Sequence, residues 1–297
     1  MPIMSLTEFQ RRVGGLNELP SLPAILFPVL NQLNENTDNV DLQKTVQLVS
    51  HDSALSTQVL HMANSPLFGL RQRITTLRGA ALTLGVCRLR DIVTSCSLMQ
   101  ITPAKVGEWN AASFWEHSLA CALISRNLAR KLGYADPERA YLAGLVHDLG
   151  ILVNVLLLPK EYSQVFKVAS ESRRPLRDVE FEMLSISHDV TGDLLSTQWQ
   201  LFDYLSEVMR RHHDFERATI DPALTAIVNI ADLLCRTSGL GYGYEECIEV
   251  TLQNEPAWKI VSANSPRLRN LDMVCFTLEI ESYVKEVRAL VSVLFRF

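Results

Sequence analysis

The segment on which the fold depends is Ala143-Gly144-Leu145-Val146-His147-Asp148-Leu149-Gly150, where a His-Asp pair stands at the edge of an apolar run. A neutral imidazole and a carboxylate on adjacent residues can ligate one divalent ion. Ala143 and Gly144 precede His147 by four and three residues, so small side chains flank it on a helix. They leave room for another helix or a ligand to approach His147.

Further candidate ligands lie on either side of this segment. Five of the seven histidines fall between residues 117 and 213. The additional candidates are His117, His188, His212, His213 and Asp232. This clustering is the main chemical indication in the chain.

Helical spacing predicts that three of these side chains point into a core. The apolar partners at this spacing are Cys121, Ile124 and Leu128 for His117, Leu205, Val208 and Met209 for His212, and Leu224, Val228 and Cys235 for Asp232. An ionised Asp on an apolar stripe is costly unless it is paired, hydrogen-bonded or bound to a metal.

Simpler interpretations exist for each residue taken singly. A lone buried His is usually hydrogen-bonded to the backbone, and a lone buried Asp usually caps a helix or pairs with a cation. The chain also has four His-Asp dipeptides, at 51–52, 147–148, 188–189 and 213–214. Taken together, the inward-facing residues favour a clustered site around 147–148. Whether a metal occupies it stays open at this point.

Composition limits the class of protein. The chain has 297 residues, of which 47% are hydrophobic and 21% charged, which is enough to bury the core of one large or two ordinary domains. A net charge of -5 argues against a nucleic-acid partner. The N-terminus lacks an apolar signal segment, and the longest aliphatic block, Val155–Leu158, is too short to span a bilayer. We therefore expect a cytoplasmic protein without a membrane partner.

Apolar residues recur at three- and four-residue spacing in nearly every segment, which predicts an all-α fold. The break at Ile101-Thr102-Pro103 predicts two domains, residues 1–104 and 105–297. Asp136-Pro137 and Asp221-Pro222 are typical helix starts. The stretch Ser238–Tyr244 predicts a loop, and Leu271–Leu294 predicts a long amphipathic helix. This helix completes the second core or packs on a partner chain, and the first is favoured.

The candidate ligands suit a hydrolytic metal site. Two imidazoles with two carboxylates can bind Mn, Fe, Zn or Mg and leave positions open. Such an ion can lower the pKa of bound water and hold a phosphoryl group. Other chemistries are poorly supported, since the sequence has no Walker-type Gly-Lys-Ser/Thr and no Gly-x-Ser-x-Gly motif.

At these residues the sequence resembles the HDOD family, a branch of the HD superfamily, over about residues 19–236. Several motifs occur in the expected order, which is far more specific than one dipeptide. They are Leu19-Pro20-Ser21-Leu22-Pro23, Leu60–Gly69, Leu82–Arg90, Trp115-Glu116-His117-Ser118, Leu142–Gly150 and Arg211-His212-His213.

The resemblance implies an N-terminal helical bundle packed on an HD-like helical bundle. It also implies metal ligands, because HD hydrolases bind metal through a His, a His-Asp pair and a later Asp. In this sequence those ligands are His117, His147, Asp148 and Asp232. His188, His212 and His213 are similar to the additional ligands of binuclear relatives such as the HD-GYP phosphodiesterases.

Two departures from the hydrolytic pattern affect the expected function. Many HD hydrolases carry Lys three residues after the Asp, where this chain has Ile151, and Ile cannot hold a phosphate. The Gly-Tyr-Pro motif is absent, and Gly241-Tyr242-Gly243 is only a superficial echo of it. HDOD proteins generally resemble signalling modules without established hydrolase activity. A regulatory protein is therefore favoured over an enzyme, and no residue is assigned a catalytic role.

The resemblance thus implies a bacterial signal-transduction module that acts through signalling proteins, with a His/Asp site that holds a divalent metal or none. Two alternatives stay open: a metal-dependent phosphohydrolase acting on a nucleotide or cyclic dinucleotide, and a nucleotide sensor that binds without cleaving. The oligomeric state, monomer or homodimer, is also open. So is whether the chain stands alone or is a piece of a larger signalling protein.

The turn Asn64-Ser65-Pro66 has two interpretations. In one, its side chains bond to the backbone and end a helix. In the other, Asn64 and Ser65 form a docking edge between the two bundles or for a partner. The first is favoured.

Overall fold

A computed structural model describes residues 9, 21, 23–26, 42–103, 105–248, 250–263, 265 and 273–295. Within these residues the secondary structure is helical apart from one short hairpin, so the prediction of an all-α fold is confirmed. Leu19, Pro20 and Leu22 of the opening motif lie outside the described residues.

By their contacts, the residues form two units. One comprises Ser21–Thr102 and Lys285–Phe297, and the other Met1–Pro20 and Pro103–Val284. The prediction of domains at 1–104 and 105–297 stays a prediction, but this division departs from it at both ends of the chain. The last helix is divided between the units after Val284.

The first unit contains four described helices besides the end of the last one. They are α1 (Leu42–Ser50), α2 (Ser53–Ala63), α3 (Leu77–Leu84) and α4 (Val86–Gln100). Asp52 caps α2 by accepting a hydrogen bond from the Leu55 amide at 2.9 Å. Gly85 separates α3 from α4 with a φ of 82°, which a residue with a side chain rarely adopts.

The second unit contains the candidate ligands and begins with a small antiparallel hairpin of β1 (Lys105–Val106) and β2 (Trp109–Asn110). The helices that follow are α5 (Ala111–Leu132), α6 (Pro137–Val146), α7 (Leu149–Leu157), α8 (Pro159–Ser172), α9 (Leu176–Leu184), α10 (His188–Gln198), α11 (Asp203–Arg211), α12 (Pro222–Thr237), α13 (Pro256–Ala263) and the first part of α14 (Met273–Leu294).

The predicted helix starts are confirmed. Asp136 accepts hydrogen bonds from the amides of Glu138 and Arg139 at 3.2 and 3.3 Å, and Asp221 accepts one from Leu224 at 3.0 Å. Pro137 and Pro222 occupy the first helical positions, where the missing N–H costs nothing. These caps set the start of α6, which leads to His147, and of α12, which carries Asp232.

The apolar run Pro137–Leu157 forms α6 and α7, with His147 and Asp148 in the turn between them. By length and composition alone this run could cross a membrane, and among the described residues it is the one candidate. However, 89% of its most apolar 18-residue window is buried inside the protein. The apolar character of the run is therefore accounted for by the core of the second unit.

Two glycines allow the helices around this turn to approach closely. A Cβ on Gly144 would lie 2.8 Å from the Cys121 carbonyl oxygen of α5. A Cβ on Gly150 would lie 1.9 Å from the carbonyl oxygen of His188, the first residue of α10. The absence of these side chains thus sets the distance of His117 and His188 from the His147-Asp148 turn.

The buried Glu207 on α11 binds the loop that precedes α12. Its carboxylate accepts hydrogen bonds from the amides of Ile220 and Asp221 at 2.8 and 2.6 Å. Burial raises the pKa of Glu207, but these backbone donors outweigh burial and lower it below the usual 4.5. The charged form therefore stabilises the fold.

We expect Glu207→Ala to lower the free energy of unfolding by about 2 kcal/mol, because the amides of Ile220 and Asp221 lose a charged acceptor. A folded-state pKa below the unfolded value gives stability that is present above pH ~4.5 and is lost as the pH falls through the folded pKa. Urea unfolding at several pH values measures both effects. The exposed Glu216 provides the control, since Glu216→Ala should change stability by less than about 0.5 kcal/mol. Equal effects of the two changes would contradict the assignment.

Candidate metal centre

Five segments of the second unit contribute side chains to one cluster, the His/Asp centre. His117 comes from α5, His147 and Asp148 from the turn between α6 and α7, His188 from the start of α10, and Asp232 from α12. The fifth segment, directly after α11, contributes His212 and His213. All are buried except His213, which is partly exposed. The structure therefore brings together every candidate ligand predicted from the sequence.

Asp148 lies in the middle of the centre. Its Oδ2 is 3.1 Å from His147 Nε2 and 3.4 Å from His117 Nε2. Its Oδ1 is 3.3 Å from both His188 Nε2 and His212 Nε2. One carboxylate therefore faces two groups of imidazoles, one on each oxygen.

These contacts define two ligand sets that share Asp148. The first consists of His117, His147 and Asp148, and the second of Asp148, His188, His212 and His213. Within each set the ligand atoms lie within 4.8 Å of one another. The residues are of the type and spacing that can hold a metal ion.

Asp232 extends the first set. Its Oδ1 is 3.4 Å from His117 Nε2 and 3.1 Å from Arg236 Nε. Neither of its buried oxygens has a hydrogen-bond partner among the described residues, and the same holds for Asp148 Oδ1 and His212 Nε2. Buried polar atoms are normally satisfied. These orphaned acceptors fit a divalent cation.

The imidazoles are oriented by hydrogen bonds from their other nitrogens. His117 Nδ1 is 2.7 Å from the Leu240 carbonyl oxygen, His147 Nδ1 is 2.8 Å from that of Gly144, and His212 Nδ1 is 3.0 Å from that of Val208. A carbonyl can only accept, so each Nδ1 carries the hydrogen. The Nε2 lone pairs are thereby directed at the centre, the arrangement that ligating histidines adopt.

Glu180 on α9 orients the imidazole of His188 by accepting a hydrogen bond from its other nitrogen. The sequence did not indicate this residue. Its Oε2 accepts from His188 Nδ1 at 2.6 Å and from the His188 amide at 3.0 Å. The Tyr162 hydroxyl donates to its other oxygen. A carboxylate behind a histidine raises the basicity of the imidazole as a ligand. A buried Glu at a helical position next to apolar residues was the available signal.

The charges of the centre are strongly coupled. Burial lowers the pKa of His117 and His147. The Asp148 carboxylate outweighs burial and raises the pKa of both imidazoles to about 10, and Asp232 adds to this effect at His117. Burial raises the pKa of Asp148, but the neighbouring imidazoles, His147 foremost, hold it well below its usual value. Burial lowers the pKa of His212. A centre whose carboxylates attract protons in this way also attracts a metal cation.

Tyr242 closes the centre and was dismissed in the sequence as part of a superficial Gly-Tyr-Gly echo. Its hydroxyl donates to Asp148 Oδ2 and lies 3.4 Å from His117 Nε2. The side chain is buried, in the predicted loop that follows α12. Ile151, at the position where hydrolytic relatives carry Lys, is also buried, in α7.

The turn at Asn64 and Ser65 belongs to the first unit, whereas the His/Asp centre belongs to the second. Asn64 Nδ2 donates to the carbonyls of Leu60 and Ile74 at 2.7 and 2.8 Å, and its Oδ1 accepts from the Ile74 amide at 2.7 Å. The Ser65 hydroxyl is buried without a hydrogen-bond partner in the described part of the chain. Asn64 thus ends α2 and holds the loop that follows it. A docking role stays a prediction.

Comparison with known proteins supports the resemblance found in the sequence. A model of the HDOD domain matches residues 19–215, which ends before Asp232. An uncharacterised protein of Treponema pallidum is 26% identical over 204 residues, which are 68% of this chain and 39% of that protein. The chain therefore spans less than half the length of this curated relative.

Solved structures share the fold. An HDOD domain protein of unknown function from Geobacter sulfurreducens is 28% identical, with a TM-score of 0.84 over 98% of this chain and 99% of its own. A candidate phosphohydrolase from Shewanella amazonensis is 21% identical, with a TM-score of 0.70 over 94% and 97%. A candidate signal transduction protein from Marinobacter aquaeolei is 19% identical, with a TM-score of 0.73 over 96% and 60%. The last two show the fold alone.

Proposed function

Because the chain belongs to the HDOD family, we propose that it is a bacterial signal-transduction module that acts through protein partners and holds divalent metal without hydrolysing phosphoesters. The observation that carries the proposal is the closure of the His/Asp centre by Tyr242. A hydrolase needs a substrate phosphoryl group at its metal ions. Here a side chain of the protein contacts the shared carboxylate instead.

Burial supports the same conclusion. His117, His147, Asp148 and Asp232 are each 0% exposed, so these four ligands present no face to solvent. Substrate pockets are usually largely formed in advance. A metal in this setting would bridge α5, α10, α12 and the His147-Asp148 turn and stabilise the unit that partners recognise.

Ile151, which follows Gly150, also supports the proposal that the protein does not hydrolyse phosphoesters. A lysine at position 151 would hold phosphate beside the metal, whereas Ile151 is an apolar side chain packed in α7. Among the described residues, the basic side chain that contacts the centre is Arg236. Its Nε lies 3.1 Å from Asp232 Oδ1 and its Nη1 lies 2.9 Å from Glu246 Oε2. That guanidinium balances buried carboxylates.

The donor set favours a transition metal. The histidines outnumber the aspartates, and imidazole suits Zn and Fe, whereas Mg prefers oxygen ligands. We expect Fe, Zn or Mn ahead of Mg. Such an ion supplies Lewis acidity and lowers the pKa of bound water.

One observation favours a metal-dependent phosphohydrolase as the second candidate. Two ligand sets share Asp148, and paired metal ions bridged in this way are common in phosphatases. A nucleotide or cyclic dinucleotide would be the substrate. A sensor that binds such a nucleotide without cleaving it would use the same centre.

Metal analysis combined with a turnover assay separates these functions. We expect the purified protein to contain transition metal by elemental mass spectrometry, yet to release no product from phosphomonoesters, nucleotides or cyclic dinucleotides after loading with Mn²⁺ or Fe²⁺. Product formation that His147→Ala abolishes would establish the hydrolase. Calorimetric binding of a cyclic dinucleotide without turnover would establish the sensor. Absence of metal after loading would contradict the metal centre itself.

A further inference from the structure

Next to the His/Asp centre, in the same unit, lies a cavity of about 380 Å³, which we call the vestibule. Residues of the β2–α5 region, of α8 and of the loop after α12 line it. Tyr242, Gly243 and Tyr244 provide the side formed by the loop. The vestibule has no role in the proposed function so far.

Tyr242 separates the vestibule from the centre. It lines the vestibule, while its hydroxyl donates to Asp148 and its ring lies 4.6 Å from that of His117, centroid to centroid. One side chain therefore faces both spaces. Displacing it would join the vestibule to the centre.

The loop that carries Tyr242 has the features of a movable closure. Gly239 and Gly243 stand on either side of Tyr242 with φ values of 75° and 97°, conformations that glycine adopts without strain. Between them the Leu240 carbonyl accepts from His117 Nδ1 at 2.7 Å. The loop is thus tied to the centre by this backbone hydrogen bond and by the Tyr242 hydroxyl, which contacts Asp148 and His117.

The charge of the vestibule suits a cation. Glu108 and Glu171 line it together with a single basic residue, Lys167, which lies 4.0 Å from Glu171. Glu108 has no ion-pair partner in the part of the chain that the structure describes. An acidic cavity raises the local concentration of cations and repels phosphate.

We propose that Tyr242 is a gate that controls the passage of divalent metal ions between the vestibule and the His/Asp centre. The metal rests on the proposed function, whereas the gate rests on the contacts of Tyr242 itself. In the closed state the phenol occupies the space beside Asp148. In the open state the loop swings about its glycines and exposes His117 to ions in the vestibule.

The first test measures access to the centre in metal-free protein. Diethylpyrocarbonate acylates accessible imidazoles in their neutral form, so rates are compared between variants at one pH, and peptide mass spectrometry assigns the modified residues. We expect His117 to react at least about tenfold faster in Tyr242→Ala than in the wild type, because breaking a hydrogen bond to a charged group shifts an opening equilibrium by roughly that factor. The exposed His51 and His61 show that the reagent is equally active when their rates stay constant, and urea unfolding shows whether each variant is folded.

Two further variants sharpen this test. Tyr242→Leu keeps an apolar side chain in the core but cannot reach Asp148, so it gives the result if the alanine variant fails to fold. Tyr244→Phe is the matched control, since Tyr244 lines the same vestibule but its hydroxyl donates to the Arg174 carbonyl at 3.0 Å. We expect the control to match the wild type. Folded Tyr242 variants with unreactive His117 would overturn the gate, whatever the metal result.

The second test measures metal exchange. Co²⁺ is loaded, and its release to EDTA is followed by visible absorption. We expect release about tenfold faster than in the wild type for Tyr242→Leu, and release at the wild-type rate for Tyr244→Phe. Equal release rates in Tyr242→Leu and the wild type would overturn the gate. A wild-type protein that takes up no Co²⁺ would overturn the metal centre, while the acylation experiment would still decide the gate.

Discussion

We expect Gly150→Ala to destabilise the second unit by about 3 kcal/mol, because the new methyl group overpacks a helix contact. The added Cβ would lie 1.9 Å from the His188 carbonyl oxygen and 2.7 Å from the Gly192 nitrogen. Both are backbone atoms of α10, so no side chain can rotate away and the helices must separate. The better helix propensity of alanine, about 1 kcal/mol, offsets only part of this cost.

The separation would also disturb the His/Asp centre. His188 is the residue contacted by the new methyl group, and its Nε2 lies 3.3 Å from Asp148 Oδ1. Displaced ligands cost metal affinity because the site is preorganised. We therefore expect a lower metal content as well as a lower urea midpoint.

Gly192→Ala is the matched control for this change. Gly192 lies on α10, and a Cβ there would have its nearest neighbour at 3.5 Å, an ordinary contact with the Met209 side chain. We expect stability to change by less than about 1 kcal/mol, with metal content retained. If Gly150→Ala unfolded at the same urea concentration as Gly192→Ala, the close approach of α7 to α10 would be wrong.

We expect Asp148→Asn to remove metal from both ligand sets at once, because Asp148 is the residue they share. Loss of a partner that merely orients a ligand typically costs 10- to 100-fold in affinity, so loss of a shared charged ligand should cost more than about 100-fold. Mutating His213, which belongs to one set, should by contrast leave the first set able to bind. Elemental mass spectrometry of the purified variants measures the number of ions per chain.

The same change affects the metal-free protein. The carboxylate of Asp148 is what chiefly opposes burial and raises the pKa of His117 and His147 to about 10. Without it, both imidazoles should titrate at lower pH, which NMR of the histidine rings measures. Breaking a buried charge pair by removing one partner usually costs about 3–5 kcal/mol.

Asp193→Asn controls for a general loss of charge. Asp193 lies on α10 with its side chain 36% exposed, and it faces Arg210 at 3.7 Å. A surface pair of this kind contributes about 0–1 kcal/mol, so metal content and histidine titration should stay as in the wild type. Retention of both ions in Asp148→Asn would contradict the shared role of Asp148.

Local sequence signals predicted the helices well where the physical cause is local. Asp136 and Asp221 cap helices as expected, because an N-cap acts on amides two or three residues away. The short hairpin at 105–110 was missed, because two-residue strands have no detectable alternation.

The sequence by itself determined the all-α fold and which imidazoles and carboxylates would point inward, because helical periodicity assigns each side chain to a face. Only the tertiary structure decided that Asp148 is shared by two ligand sets, that Glu180 supports His188 and that Tyr242 closes the centre. Tyr242 and Asp148 are 94 residues apart in the chain. No local pattern records such a contact, because it arises from how the helices and the loop pack in three dimensions.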